Sequence, residues 1–170
     1  SYPTITKSGF YNNYEFIVKN SNTDSENSSN YKEDDNIYLS TLIQYNSTLP
    51  LIKEDNKYQK ILKPKASLKL APLHTKNQRS NSTKIDVNNV FALNRDFEKD
   101  SIEGGVSLAY GTDYSIIDKE NSREIFNFKV ANNVRIEEND DLPTNNQLGQ
   151  KTSNFFTETE LNPNKYFNIK

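Results

Sequence analysis

The sequence reads as all-β, and more narrowly as part of an antiparallel transmembrane β-barrel: about seven long strands joined by alternating long loops and short turns. Three observations carry this. Apolar and polar residues alternate with period 2 in run after run, which places successive side chains on opposite faces of a strand. The runs reach about 12–14 residues, against a usual 5–6. The connections alternate long and short without exception, an asymmetry that a soluble sandwich has no reason to adopt.

The composition fits a barrel wall better than a conventional core. Only 33% of the 170 residues are apolar, and the mean hydropathy is -0.89. Asn accounts for 25 residues, far above ordinary usage. Polarity of this degree signals disorder where aromatics are scarce, but here Tyr and Phe supply 11% of the chain. A β-structure that is polar over one whole face accommodates both facts. The net charge of -2, with Lys and Arg dispersed, sets up no field that would steer nucleic acid or acidic lipid. Without Cys there is neither a disulfide framework nor thiolate chemistry. No stretch approaches the roughly 20 apolar residues of a membrane helix.

The strands follow in order. The first run sets Phe10, Tyr14, Phe16 and Val18 against Asn13, Glu15 and Lys19. The second sets Leu39, Ile43, Tyr45, Leu49 and Leu51 against Ser40, Gln44 and Asn46. The third sets Tyr58, Leu62, Ala66, Leu68 and Leu70 against Gln59, Lys63, Lys65, Ser67 and Lys69. Pro64 falls on the apolar face of this run, where it removes a ladder hydrogen bond. The fourth, entered through Gly104-Gly105, sets Val106, Leu108, Tyr110, Tyr114 and Ile116 against Ser107, Ala109, Gly111, Asp113 and Ser115. The fifth is the cleanest, with Phe126, Phe128, Val130, Val134 and Ile136 against Asn127, Lys129, Asn133 and Arg135. A weaker sixth, near 153–161, sets Phe155 and Leu161 against Glu158 and Glu160, and a seventh begins at Tyr166.

At about 3.3 Å per residue a 13-residue strand reaches roughly 43 Å. Tilted by roughly 45°, it spans about 30 Å, the hydrocarbon thickness of a bilayer. Long connections at 20–36, 72–103 and 137–152 alternate with short turns at 53–57, 118–122 and 162–165. That is the asymmetry of outer-membrane barrels, with long loops outside and tight turns in the periplasm. Tyr58, Tyr114, Phe126 and Tyr166 lie near the short turns, where an interfacial aromatic girdle sits. The apolar faces are then expected to meet outer-membrane lipid and the polar faces a wet lumen.

Little in the chain points to catalysis, and no catalytic, cofactor-binding or metal-binding set is assigned. His74 is the sole histidine and has no partners at a recognisable spacing. The acidic run Glu137, Glu138, Asp140 and Asp141 lacks the ligand spacing and central Gly of a calcium loop, so it reads as a solvated loop. Gly104-Gly105 and Gly111 read as a bend or bulge rather than a phosphate cradle, since no helix follows. The sequons at Asn27, Asn46 and Asn81 are expected by chance in so Asn-rich a chain. Aromatics and lysines lie on opposite faces, whereas a nucleic-acid groove needs them together.

The stretch Val90-Phe91-Ala92-Leu93-Asn94-Arg95, then Asp100-Ser101-Ile102-Glu103-Gly104-Gly105 and Tyr110-Gly111, resembles a hallmark segment of the LptD family. These are the lipopolysaccharide-assembly outer-membrane proteins, also called organic solvent tolerance proteins. Their barrel domain carries an Asn-Arg pair, an Asp-Arg-x-Glu-x-Gly segment and a Tyr-Gly in the next strand; Ser101 here stands where that Arg is usual. Leu49-Pro50-Leu51, Leu62-Lys63-Pro64-Lys65-Ala66 and Ala71-Pro72 are similar to upstream signals of the family. Ser153-Asn154-Phe155-Phe156 through Asn162-Pro163 is similar to a downstream strand and turn, with Thr157 where Gly is common. The resemblance runs over most of 37–170.

What the resemblance implies is a role in transporting lipopolysaccharide and inserting it into the outer leaflet of the cell outer membrane. It also implies an LptE-like plug lipoprotein and periplasmic jelly-roll bridge proteins as partners. No jelly-roll segment or gate strand is identifiable, so no functional residue carries over. The lumen-facing Lys63, Lys65, Lys69, Lys129 and Arg135 are the candidates for contact with anionic groups. The whole of 1–170 is expected to be one incomplete barrel domain that does not close on itself. A chain stopping at Asn168-Ile169-Lys170 within a strand, with no visible signal peptide, is expected of a piece of a longer protein. Another outer-membrane barrel (a porin or channel) and a secreted β-sandwich binding module are the alternatives.

Overall fold

The computed structural model describes residues 1–23, 36–72, 77–80, 82, 84–95, 102–164 and 166–170. His74, Asn27, Asn81 and Asp100-Ser101 lie outside the described residues. The strands are β1 (Tyr2–Ile5), β2 (Tyr11–Thr23), β3 (Asn36–Thr48), β4 (Leu51–Glu54), β5 (Tyr58–Ala71), β6 (Gly105–Asp118), β7 (Arg123–Arg135), β8 (Phe156–Asn164) and β9 (Phe167–Ile169). They form one antiparallel sheet in the order β1-β2-β3-β5-β6-β7-β8-β9, with β4 continuing along the edge of β5 beyond β3. The all-β antiparallel expectation holds, and five strands run 13 or 14 residues. There is one sheet, not the two facing sheets of a sandwich.

Among the described residues nine strands replace the expected seven, for two local reasons. β1 has 4 residues and includes Pro3, too short a run for alternation to register. The second predicted strand, continued through Leu51, is instead interrupted at Leu49-Pro50, between β3 and β4. The register is nonetheless continuous across the gap, from Thr48↔Lys65 to Leu51↔Leu62. Leu49 N–H donates to the Pro64 carbonyl at 3.1 Å. Since a strand residue points its N–H and C=O the same way, Pro64 withholds one bond from Leu49, and its pairing with β6 at Thr112 is intact. By the same alternation Pro50 faces away from β5, so its missing N–H removes nothing from that ladder.

All long connections, 24–35, 72–104 and 136–155, join strand ends at one end of the sheet, and all short ones lie at the other. Each short turn is set by a side chain that hydrogen-bonds its own backbone. Thr6 Oγ1 accepts from Phe10 N, Asp55 Oδ1 from Lys57 and Tyr58 N, Asp118 Oδ1 from Glu120 N, and Asn164 Oδ1 from Tyr166 N. Gly9 (φ 88) and Ser122 (φ 51) supply the left-handed backbone in two of them.

The two faces are solvated in the reverse of the soluble pattern. Along the register, Phe16–Ile43–Leu70–Val106 form one row and Tyr14–Tyr45–Leu68–Leu108–Val134 the next. This face is bare, with Phe16 61% and Leu39 56% exposed. Its rings meet each other, Tyr14 against Tyr45 at 4.9 Å and Tyr114 edge-on to Phe126 at 6.1 Å. Charges on it, Lys53, Lys60, Asp118 and Arg123, sit in the rows nearest the short turns. Polar groups further along include Thr112 and Asn132, whose Nδ2 donates to the Ser153 and Asn154 carbonyls. There a one-residue slip between Val134↔Thr152 and Ala131↔Phe156 bulges the start of β8.

The opposite, polar face is covered. Gln44, Ser67, Ala109 and Asn133 are 0% exposed, and the 72–104 and 136–155 connections fold back over this face. Ile85, Val87 and Val90 from one connection and Leu142 and Leu148 from another join Ala109, Ala131 and Phe156 in a core. Leu93 and Ile102 close over Leu42, Ala71 and Ile17 in a second. The loops bond to each other as well, Gln78 N to Asp141 O at 2.6 Å.

The close pairing of β6 with β7 needs a small residue. At Gly111 an added Cβ would overlap the Val130 carbonyl oxygen and lie 3.0 Å from Ala131. Gly111→Ala is therefore expected to destabilise the protein by about 1–3 kcal/mol, read as a lower unfolding midpoint of the parent chain in detergent. An unchanged midpoint for Gly111→Ala refutes the close approach.

Candidate functional site

The covered face is ordered in cross-strand rows, and two of them are charged. The first is Gln44–Lys69–Ser107–Arg135, running across β3, β5, β6 and β7. The second, nearer the short turns, is Lys63–Asp113–Lys129–Glu158. Alternating signs opposite one another stabilise neighbouring strands, and Lys129 meets Glu158 at 2.7 Å while Lys65 reaches Asp113 at 2.8 Å.

Two residues of the 72–104 connection complete the first row. Glu103, just ahead of β6, places its carboxylate among Lys69, Arg95 and Arg135. Arg135 Nη1 lies 2.6 Å and Arg95 Nη1 3.4 Å from Oε1, and Lys69 Nζ 3.7 Å from Oε2. Ser107 Oγ donates to Oε1 at 3.4 Å. Arg95 Nη2 donates to Asn133 Oδ1 at 2.7 Å, and Arg135 Nη2 to the Gly104 carbonyl. Gly105 holds φ at 94, a left-handed backbone that favours glycine, and a Cβ there would also come 2.8 Å from Arg135 Nη2. The loop is held further by Gln44 Nε2 on the Phe91 carbonyl at 2.7 Å and by Lys65 Nζ 4.8 Å over the Phe91 ring.

Burial pushes the Glu103 carboxyl toward the neutral form, but Arg95, Lys69 and Arg135 outweigh it and hold the pKa at about 2. Glu103 is thus ionised at neutral pH, and the cluster is a buried ion network.

The lysines expected to contact anionic groups are mostly engaged within the chain. Lys65, Lys69, Lys129 and Arg135 have carboxylate partners, and Lys63 stands exposed on the same face without an ion pair among the described residues. Glu137, Glu138, Asp140 and Asp141 line one cleft of about 610 Å³ with Arg135 and Gly104-Gly105. No group of three or more His, Cys, Asp or Glu among the described residues could hold a metal ion. Arg95 and Glu103 were visible in the motif, yet nothing in their spacing said that they meet.

A single long-stranded sheet, bare on its apolar face and filled by re-entrant loops on its polar face, defines a segment of β-barrel wall. The LPS transport system D family, LptD, matches residues 11–170, and the chain belongs to that family. Its business is lipopolysaccharide transport. No curated protein matches the chain. The match takes in every strand from β2 onward, and the motif that carried the resemblance is the one that builds the Glu103 cluster.

Removing one partner from a buried ion network costs about 3–5 kcal/mol, and Glu103→Gln is expected to cost about that at neutral pH. With its folded pKa depressed from 4.5 to about 2, Glu103 contributes fully above 4.5, and that contribution fades as pH falls toward 2. Acid titration of stability in the parent chain should show this loss for wild type, with the gap to Glu103→Gln narrowing through the window. A gap constant with pH rules it out.

Proposed function

We propose that this chain is part of the barrel wall of an outer-membrane protein that transports lipopolysaccharide and inserts it into the outer leaflet. The observation that carries the reading is the inverted solvation of the sheet, apolar and bare on one side, polar and packed on the other. Exposed apolar surface on this scale marks an interaction or membrane face in any protein. Strands of 13–14 residues are of the length needed to cross a bilayer at a barrel's tilt. Family membership supports lipopolysaccharide as the cargo. An LptE-like plug lipoprotein and periplasmic jelly-roll bridge proteins are the partners that this reading implies, and 1–170 is an incomplete barrel domain that other strands must close. A general diffusion channel is the weaker alternative, because loops occupy the face that would line its pore.

Two measurements test it. Val130→Arg, mid-strand on the bare face, is expected to cost about 2–4 kcal/mol for folding into bilayers, while Lys63→Ala on the opposite face changes stability little. Equal effects from the two remove the membrane reading. Depleting the full-length protein from cells is expected to strand lipopolysaccharide inside the outer membrane, scored by its surface accessibility. Normal surface lipopolysaccharide after depletion removes the transport reading.

A further inference from the structure

The Glu103 cluster has a shape that ion pairing alone does not call for. Among the described residues, three cationic side chains converge on one carboxylate, and all are nearly or fully buried. Lys69 and Arg135 belong to the wall, on β5 and β7, while Glu103 and Arg95 arrive with the connection that folds over it. The carboxylate fills this cradle poorly. Among the described residues, Lys69 Nζ, Arg95 Nε and Arg135 Nε have no acceptor, and Glu103 Oε2 has no donor within hydrogen-bond distance although Lys69 stands 3.7 Å away. A carboxylate offers two oxygens, whereas guanidinium and ammonium groups together present donors in several directions. A tetrahedral oxyanion would answer more of them, and two guanidinium forks are suited to a phosphate.

We propose that Lys69, Arg95 and Arg135 form an anion cradle matched to a phosphate group, which the Glu103 side chain occupies as an internal stand-in. The cradle lies on the polar face of the wall, next to an open cleft lined by Arg135 and Gly104. Vacating it leaves a site for inorganic phosphate or for a phosphate carried by a lipid or glycolipid. Glu103 is then a competitor for the site as well as a structural ion. The proposal concerns the chemistry of the cradle and stands whether or not the protein moves lipopolysaccharide.

The test uses the full-length chain in detergent, with inorganic phosphate as the probe and chloride at matched ionic strength as the control. Glu103→Ala is expected to bind phosphate saturably by calorimetry, at least about tenfold more tightly than wild type, and Glu103→Ala/Arg135→Ala to lose that gain. If Glu103→Ala folds only when phosphate is present, that rescue supports the cradle too. Binding no tighter than wild type, equal stabilisation by chloride, or failure to fold in both salts overturns it. A second arm offers Glu103→Ala mixed micelles containing phosphatidic acid or phosphatidylcholine. Competition with inorganic phosphate by phosphatidic acid alone assigns a lipid-borne phosphate, and no competition by either assigns the free ion.

Discussion

Glu103 sits where three parts of the chain must agree. Lys69 and Arg135 reach it from strands on either side of β6, and Arg95 reaches it from the folded-back connection. A buried carboxylate without those cations would be untenable, and the cations without an anion equally so. Replacing such a network with apolar residues is often neutral for stability, so its value lies in selecting one arrangement. Here it fixes how the 72–104 connection enters β6. That entry in turn sets the position of Ile85, Val87 and Val90 over Ala109 and Ala131.

The covered face follows from that anchoring. A sheet face rich in Gln, Ser, Asn and Lys gives no hydrophobic drive for anything to pack on it. The loops supply apolar side chains at the few positions where the sheet presents Ala109, Gly111 and Ala131, and elsewhere they meet it through hydrogen bonds and ion pairs. Asn133 illustrates this, since it accepts from Arg95 while its backbone accepts from Ser153 N and donates to Ser153 Oγ. The protein's buried interior therefore lies on its polar side, and the large apolar side chains are left to face whatever surrounds the wall.

Most of the wall was legible because a strand's side-chain period is local and cannot be disguised. Residues in Phe126 to Arg135 state their faces outright, as do those from Val106 to Ile116. Where the sequence misled, the cause was non-local or too brief. β1 is a four-residue edge strand. The break at Leu49-Pro50 reflects which way each proline's missing donor points, a matter of pairing. The bulge before β8 falls where Ser153 serves two neighbours, its carbonyl accepting from Asn132 Nδ2 and its Oγ from Asn133 N. The connections read as polar loops, and nothing in their composition announced that Val90 or Leu148 would be wholly buried.

By itself, then, the amino-acid sequence determined an all-β chain with one apolar face, long strands, long connections gathered at one end, and membership of the LptD family through an ordered set of short motifs. Tertiary structure alone decided that Arg95 and Glu103 meet, that lysines facing the polar side are mostly paired within the chain, and that two connections fold inward. Alternation is set by backbone geometry within a few residues, and so it can be read along the chain. The Glu103 cluster joins residues 69, 95, 103 and 135, and only the register of β5, β6 and β7 brings them within a few ångströms.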